Sequence, residues 1–191
     1  EFLYRVERAL QGGVTLLQLR EKNKSTREYI ELAVKVHTIT KRYNVPLIID
    51  DRVDVALAVD AEGVHVGASD MPVATARRLM GADKIVGATA KTVPWAMEAY
   101  EQGADYLGVG AIFPTTTKVI TVLTAVETLR DICNTVPIPV NAIGGLNKDN
   151  IDILEGIPVA GICVVSAIMK ADDPKLAAQE LKARAKELAL I

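Results

Sequence analysis

Three polar residues interrupt an apolar run near the start of the chain. Gln18, Arg20 and Lys22 alternate with Leu19 and Glu21. In an extended segment, period two puts those three on one face, with Leu17 and Leu19 on the other. An amide and two cations pointing the same way suit an anion; a solvated strand end with a salt bridge to Glu21 is the competing reading. Asp50-Asp51 closes the next apolar run, and Asp70 follows the one after. Carboxylates beyond neighbouring strand ends suit Mg2+, which keeps several waters and takes one or two carboxylates plus substrate phosphate. The same aspartates precede Val53 and Met71-Pro72, as helix N-caps do, so capping stays open as their role.

Later runs end in phosphate-compatible chemistry. Phe113-Pro114-Thr115-Thr116-Thr117-Lys118 follows Gly108-Val109-Gly110 and offers hydroxyls and a cation, although Thr-rich surface loops share that composition. Gly144-Gly145 and Val165-Ser166 end the last two runs. Paired glycines expose backbone N–H groups that can cradle phosphate. His65 lies between two valines, where a satisfied core histidine is the expected reading rather than a base. His37 and Trp95 carry no assigned role.

These residues need a frame, and the chain supplies one by alternation. Short runs rich in Val, Ile and Leu span Thr15–Arg20, Pro46–Asp50, Gly63–Gly67, Lys84–Thr89, Tyr106–Ile112, Ile138–Gly144 and Gly161–Ser166. They lack strict alternation, as parallel strands covered on both faces do. Amphipathic stretches separate them. Ser25 and Glu28 have capping-box spacing, with Tyr29, Leu32, Ala33, Val36 and Ile39 continuing that helix's apolar face; Pro94 suits the first turn of a helix ending near Gly103, and Pro174 starts the last helix. Small-residue turns recur ahead of strands at Ala61-Glu62-Gly63, Gly103-Ala104-Asp105 and Val159-Ala160-Gly161. The expected class is α/β, a β/α (TIM-type) barrel in one catalytic domain over 1–191. Its active face lies at the C-terminal strand ends, where every polar anomaly falls. No G-x-G-x-x-G follows the first strand, which argues against a Rossmann nucleotide site.

Composition narrows the partners. A net charge of −2 with no basic stripe, and an aromatic content of 4%, give no footing for nucleic acid. No apolar run approaches the roughly 18 residues of a membrane span, and no secretory signal is visible. Cys133 and Cys163 lack metal-ligand spacing and lie in apolar segments, as buried free thiols do. A reducing, cytoplasmic setting is expected.

Taken as an ordered set, the segments Gln18-Leu19-Arg20-Glu21-Lys22, Asp50-Asp51-Arg52-Val53-Asp54, Gly63-Val64-His65-Val66-Gly67 with Asp70, Pro114-Thr115-Thr116-Thr117-Lys118, Ile143-Gly144-Gly145 and Val164-Val165-Ser166-Ala167-Ile168 resemble the thiamine phosphate synthase family. The resemblance implies a β/α barrel that couples hydroxymethylpyrimidine diphosphate to a thiazole phosphate, with Mg2+ as cofactor and thiamine phosphate and diphosphate as products. It implies that Gln18, Leu19, Arg20, Glu21, Lys22, Asp50, Thr89 and Lys118 contact the pyrimidine diphosphate. Arg20, Lys22, Lys118 and Thr89 would act in catalysis, and Asp51 and Asp70 would bind Mg2+. Thr115, Thr116, Thr117, Gly145, Val165 and Ser166 would hold the thiazole phosphate. Against the family's usual pattern, Asp50 stands for Asn, Thr89 for Ser, Ala68 for Gln and Lys91 for His. The other readings are a thiazole tautomerase-like paralogue, a sugar-phosphate isomerase, which the Gln18/Arg20/Lys22 face fits poorly, and a non-catalytic phosphate-ligand-binding barrel.

One expectation concerns the start. Phe2, Leu3, Val6 and Leu10 repeat at helical intervals before Gly12-Gly13, so Glu1–Ala9 reads as helix. Seven strand candidates against the eight of a closed barrel imply a first strand upstream of Glu1, absent from this chain.

Overall fold

The computed structural model describes residues 1–115 and 122–191. Strands and helices alternate. α1 (Phe2–Gln11) leads into β1 (Leu17–Leu19), then α2 (Thr26–Arg42), β2 (Leu47–Asp50), α3 (Val53–Ala58), β3 (Gly63–Val66), α4 (Val73–Met80) and β4 (Ile85–Ala90). α5 (Val93–Glu101), β5 (Tyr106–Val109), α6 (Val126–Thr135), β6 (Val140–Ile143), a 3-10 turn (Ile151–Leu154), β7 (Gly161–Cys163), α7 (Ser166–Met169) and α8 (Pro174–Glu187) complete it.

All seven strands are parallel and pair in chain order, β1 to β7, in one curled sheet. Each apolar run of the sequence marks its strand, and β4 alone runs one residue past its run, to Ala90. The central strands are covered on both faces, so Leu47, Ile48, Ile49, Val64 and Leu107 are fully buried. That double burial is why the runs do not alternate. Among the described residues, β1 and β7 pair on one side only. α1 falls where helix was expected.

Helix ends follow the sequence signals. Ser25 and Glu28 form a reciprocal capping box at α2, Thr92 caps α5, and the Asp173 carboxylate caps α8 by accepting from Lys175 N–H at 2.9 Å. Such caps contribute about 1 kcal/mol each. Gly103, at φ +98°, makes the tight return from α5 to β5.

Two expected strands end early, for a local reason. The run to Ile112 leaves the β5 ladder at Val109 and lies across the end of β6, where Ile112 N–H donates to Ile143 O and Phe113 N–H to Gly144 O, both at 3.0 Å. The run to Ser166 leaves β7 at Cys163, and Ser166 opens α7. No helix among the described residues is long and apolar enough to cross a membrane.

Candidate active site

The C-terminal ends of β1 and β2 bring opposite charges together. Leu19 is in register with Ile49, so the residues after each strand face one another. Arg20 Nε lies 3.4 Å from Asp50 Oδ2, and Lys22 Nζ pairs with Asp51. The cations therefore use the neighbouring strand's carboxylates, not Glu21. Glu21 instead accepts from the N–H groups of Lys22 and Asn23, at 3.0 and 3.3 Å, and shapes its own turn. Leu19 is buried at 3% exposure, so its side chain belongs to the core.

Asp51 sits at φ +63°, left-handed backbone that Asp and Asn adopt more readily than most residues. Its N–H continues the ladder to His65 O at 2.8 Å. The capping reading of the aspartates does not hold. Arg52 is the N-cap of α3 and Pro72 that of α4, and neither supplies a side-chain cap. Asp70 closes its own loop, its Oδ2 accepting from Gly67 N–H at 2.8 Å. Arg52 points away, toward Asp54 and Thr26 Oγ1 at 2.9 Å; its hydrogen bond holds the Asp54 carboxyl below the usual carboxylate range.

Below these charges lies a polar floor inside the sheet. His65 Nε2 is 2.9 Å from Thr89 Oγ1, and Nδ1 is 3.0 Å from the Tyr106 hydroxyl. Gln18 hydrogen-bonds the same hydroxyl. Both neighbours of the imidazole can donate or accept, so a neutral ring is satisfied. His65 is thus the satisfied core histidine expected, yet it supports Thr89. The ring of Tyr106 occupies space that only glycine leaves: a Cβ on Gly87 would fall 2.2 Å from Tyr106 Cζ. Burial raises the Tyr106 pKa, so the phenol keeps its proton. Burial also pushes the Cys163 thiol up to about 11, which leaves it no nucleophile at neutral pH.

Of the remaining predicted residues that are described, Thr115, Gly145 and Val165 follow strand ends of the same face and Ser166 opens α7. Thr115 follows β5, while Thr116, Thr117 and Lys118 lie outside the described residues. The far side of that segment is tied down: Thr124 Oγ1 donates to Gly110 O at 2.9 Å, and Lys91 Nζ reaches Val122 O at 3.2 Å. Gly144 and Gly145 both have positive φ, and a Cβ on either would strike the 111–114 segment within 2.7 Å. Close approach of this loop is thus one reason for the glycine pair. Asn150 Nδ2 holds Gly145 O at 2.9 Å. Val165 and Ser166 stand exposed at the start of α7.

Two participants escaped the sequence reading. Tyr106 appeared only as the first residue of a strand, and Tyr29 only as part of a helix's apolar face. A tyrosine among aliphatic core positions was the available signal, because a buried phenol hydroxyl needs a partner.

The donor set fits a hard divalent cation. Asp51 and Asp70 each engage one carboxylate oxygen, with Lys22 and with Gly67 N–H respectively. Mg2+ commonly takes one or two carboxylates and completes its shell with water and phosphate. No group of three or more His, Cys, Asp or Glu able to hold a metal occurs among the described residues.

Comparison with known proteins gives a consistent result. The family model described as thiamine monophosphate synthase matches residues 1–168. A thiamine-phosphate synthase of Enterococcus faecalis is 58% identical over 172 residues, covering 90% of this chain and 81% of the relative. Thiamine-phosphate synthase 2 of Streptococcus pneumoniae is 57% identical over 172 residues, covering 90% of this chain and 82% of the relative. The solved structure of thiamine phosphate pyrophosphorylase from Pyrococcus furiosus superposes with a TM-score of 0.90 at 42% identity, over 98% of this chain and 91% of that one.

Proposed function

Since the chain belongs to the thiamine monophosphate synthase family and is a transferase of thiamine biosynthesis, we propose that it couples hydroxymethylpyrimidine diphosphate to a thiazole phosphate. The observation that carries this choice of substrates is the facing of Arg20 and Lys22 with Asp50 and Asp51 across adjacent strand ends. A diphosphate needs cations, and its metal needs hard oxygens; both are supplied within one pair of loops.

In this reading the C–O bond between the pyrimidine methylene and diphosphate breaks, and its electron pair leaves with the diphosphate. The thiazole nitrogen lone pair then forms the new C–N bond. Arg20, Lys22 and Lys118 stabilise charge growing on the departing group, which is where preorganised donors accelerate most. Thr89, held by His65, contacts the pyrimidine diphosphate with Gln18, Asp50 and the Leu19–Glu21 backbone. Thr115, Thr116, Thr117, Gly145, Val165 and Ser166 hold the thiazole phosphate and so position the nucleophile. Asp51 and Asp70 would hold Mg2+, which supplies further charge neutralisation when bound. No base is required, and the half-buried Cys163 thiol and the protonated Tyr106 phenol offer none. Among the described residues β1 and β7 each pair on one side only, and an eighth strand between them is what a closed wall would need. The free thiols fit a reducing, cytoplasmic setting.

The reading is tested by supplying both substrates with Mg2+ and measuring thiamine phosphate and released diphosphate. Equal amounts of the two products are expected. Release of diphosphate without thiamine phosphate, or no product at all, would overturn it. The tautomerase-like and non-catalytic readings are not favoured, because the relatives compared are named synthases.

Asp50 offers a separate prediction. Its carboxylate is 90% shielded and faces Arg20 at 3.4 Å. Asp50→Asn removes an anion beside a diphosphate site and supplies an amide that both donates and accepts. Affinity for the pyrimidine diphosphate, measured by calorimetry, should hold or rise by up to about tenfold. A large loss of affinity would mean that the carboxylate has its own contact with substrate.

A further inference from the structure

Helix α2 carries one tyrosine whose hydroxyl is spent entirely on the two strand ends of the site. Tyr29 is 1% exposed, and its hydroxyl donates to Leu19 O at 2.8 Å and leans on Asp50 O at 3.3 Å. A phenol has one proton, so the two contacts share it and the shorter bond dominates. Those carbonyls belong to the peptides Leu19–Arg20 and Asp50–Asp51. Rotation of either peptide swings a charged side chain of the site: Arg20 on one, Asp51 on the other.

The hydroxyl is itself fixed from behind. Tyr29 N–H donates to Ser25 O at 2.9 Å in the first turn of α2, and the Ser25–Glu28 capping box holds that turn. Arg52 N–H also donates to Asp50 O, at 2.8 Å, so the second carbonyl is held from two sides. An apolar ring would fill the same core space without reaching either carbonyl. The phenol thus adds something that packing does not require.

We infer that Tyr29 is a positioning residue: its hydroxyl fixes the ends of β1 and β2 so that Arg20 and Lys22 stand at the spacing a diphosphate needs. It touches no substrate. Burial, and then the charge of Asp50, raise the Tyr29 pKa, so the proton stays available throughout the neutral range. The inference rests on the assignment of Arg20 and Lys22 to the diphosphate.

The test uses Tyr29→Phe in the full chain, with Tyr29→Leu as a packing control. Binding of inorganic pyrophosphate with Mg2+ is measured by calorimetry, alongside KM for each substrate and the melting temperature. Tyr29→Phe should weaken pyrophosphate binding and raise KM for the pyrimidine diphosphate by about tenfold. KM for the thiazole phosphate should stay within about twofold. Tyr29→Leu should show the same split with a much lower melting temperature. Unchanged pyrophosphate affinity and unchanged KM in Tyr29→Phe would overturn the role, even if folded yield fell. If the wild-type chain binds pyrophosphate but forms no thiamine phosphate, the substrate assignment fails, while the affinity comparison still decides the role of Tyr29. If it binds no pyrophosphate, both readings fall.

Discussion

Asp51→Asn should lower turnover by roughly 100- to 1000-fold while leaving the melting temperature nearly unchanged. The backbone explains why the fold survives. Asp51 occupies left-handed space at φ +63°, which asparagine also tolerates, and its N–H bond to His65 O is untouched. What is lost is the charge that pairs with Lys22 and that would ligate Mg2+. Asp70→Asn is the matching experiment, because an amide oxygen can still accept from Gly67 N–H and keep the loop closed. In both variants the Mg2+ concentration giving half-maximal rate should rise. Wild-type turnover in both would remove the metal assignment.

Arg77→Ala should do the reverse. Arg77 lies on α4, at the opposite end of the sheet from the charged loops. Its guanidinium donates to Gly103 O at 3.0 Å, Gly81 O at 2.9 Å and Lys84 O at 2.6 Å, and it also bonds Asp105. Asp105 in turn accepts from Val86 N–H at 2.8 Å. One side chain therefore joins the end of α4, the start of β4 and the turn before β5. Removing it strips partners from three carbonyls, with an expected loss of about 2–4 kcal/mol. That corresponds to a fall of roughly 5–15 °C in melting temperature for a chain of this size. Both KM values at 25 °C should be unaffected in the folded fraction. A melting temperature within two degrees of wild type would show that water replaces the guanidinium at little cost.

The contrast between these two variants matches what was legible beforehand. Strand positions such as Leu47–Asp50 and Gly63–Val66 were readable because double burial demands continuous apolar runs. The charged site was readable for the complementary reason: Arg20, Asp50 and Asp51 are residues a buried strand would not otherwise carry at its end. Arg77 was invisible, since its value lies in carbonyls brought together by three separate turns. Tyr29 was hidden differently. Its ring satisfies the helical pattern of Leu32, Ala33 and Val36, so the apolar period absorbed it and its hydroxyl went unread. The choice between helix capping and metal binding for the aspartates could not be made from spacing, because an Asp between a strand end and the next helix can serve either. In the fold Arg52 and Pro72 take the N-cap positions of α3 and α4, and Asp51 and Asp70 bond Lys22 and Gly67 N–H instead.

The pairing of Arg20 with Asp50 and of Lys22 with Asp51 also bears on what the protein ignores. Those four charges cancel, so little field extends past the Debye length of about 10 Å at 0.1 M salt. A stray monoanion gains little by competing with a carboxylate that the backbone holds in place. A diphosphate arriving with a divalent ion meets a different balance, for it can trade partners with both pairs at once. The loops would then act as an ion exchanger tuned to a matched pair, and abundant chloride or inorganic monophosphate should compete poorly with the pyrimidine diphosphate at these two loops.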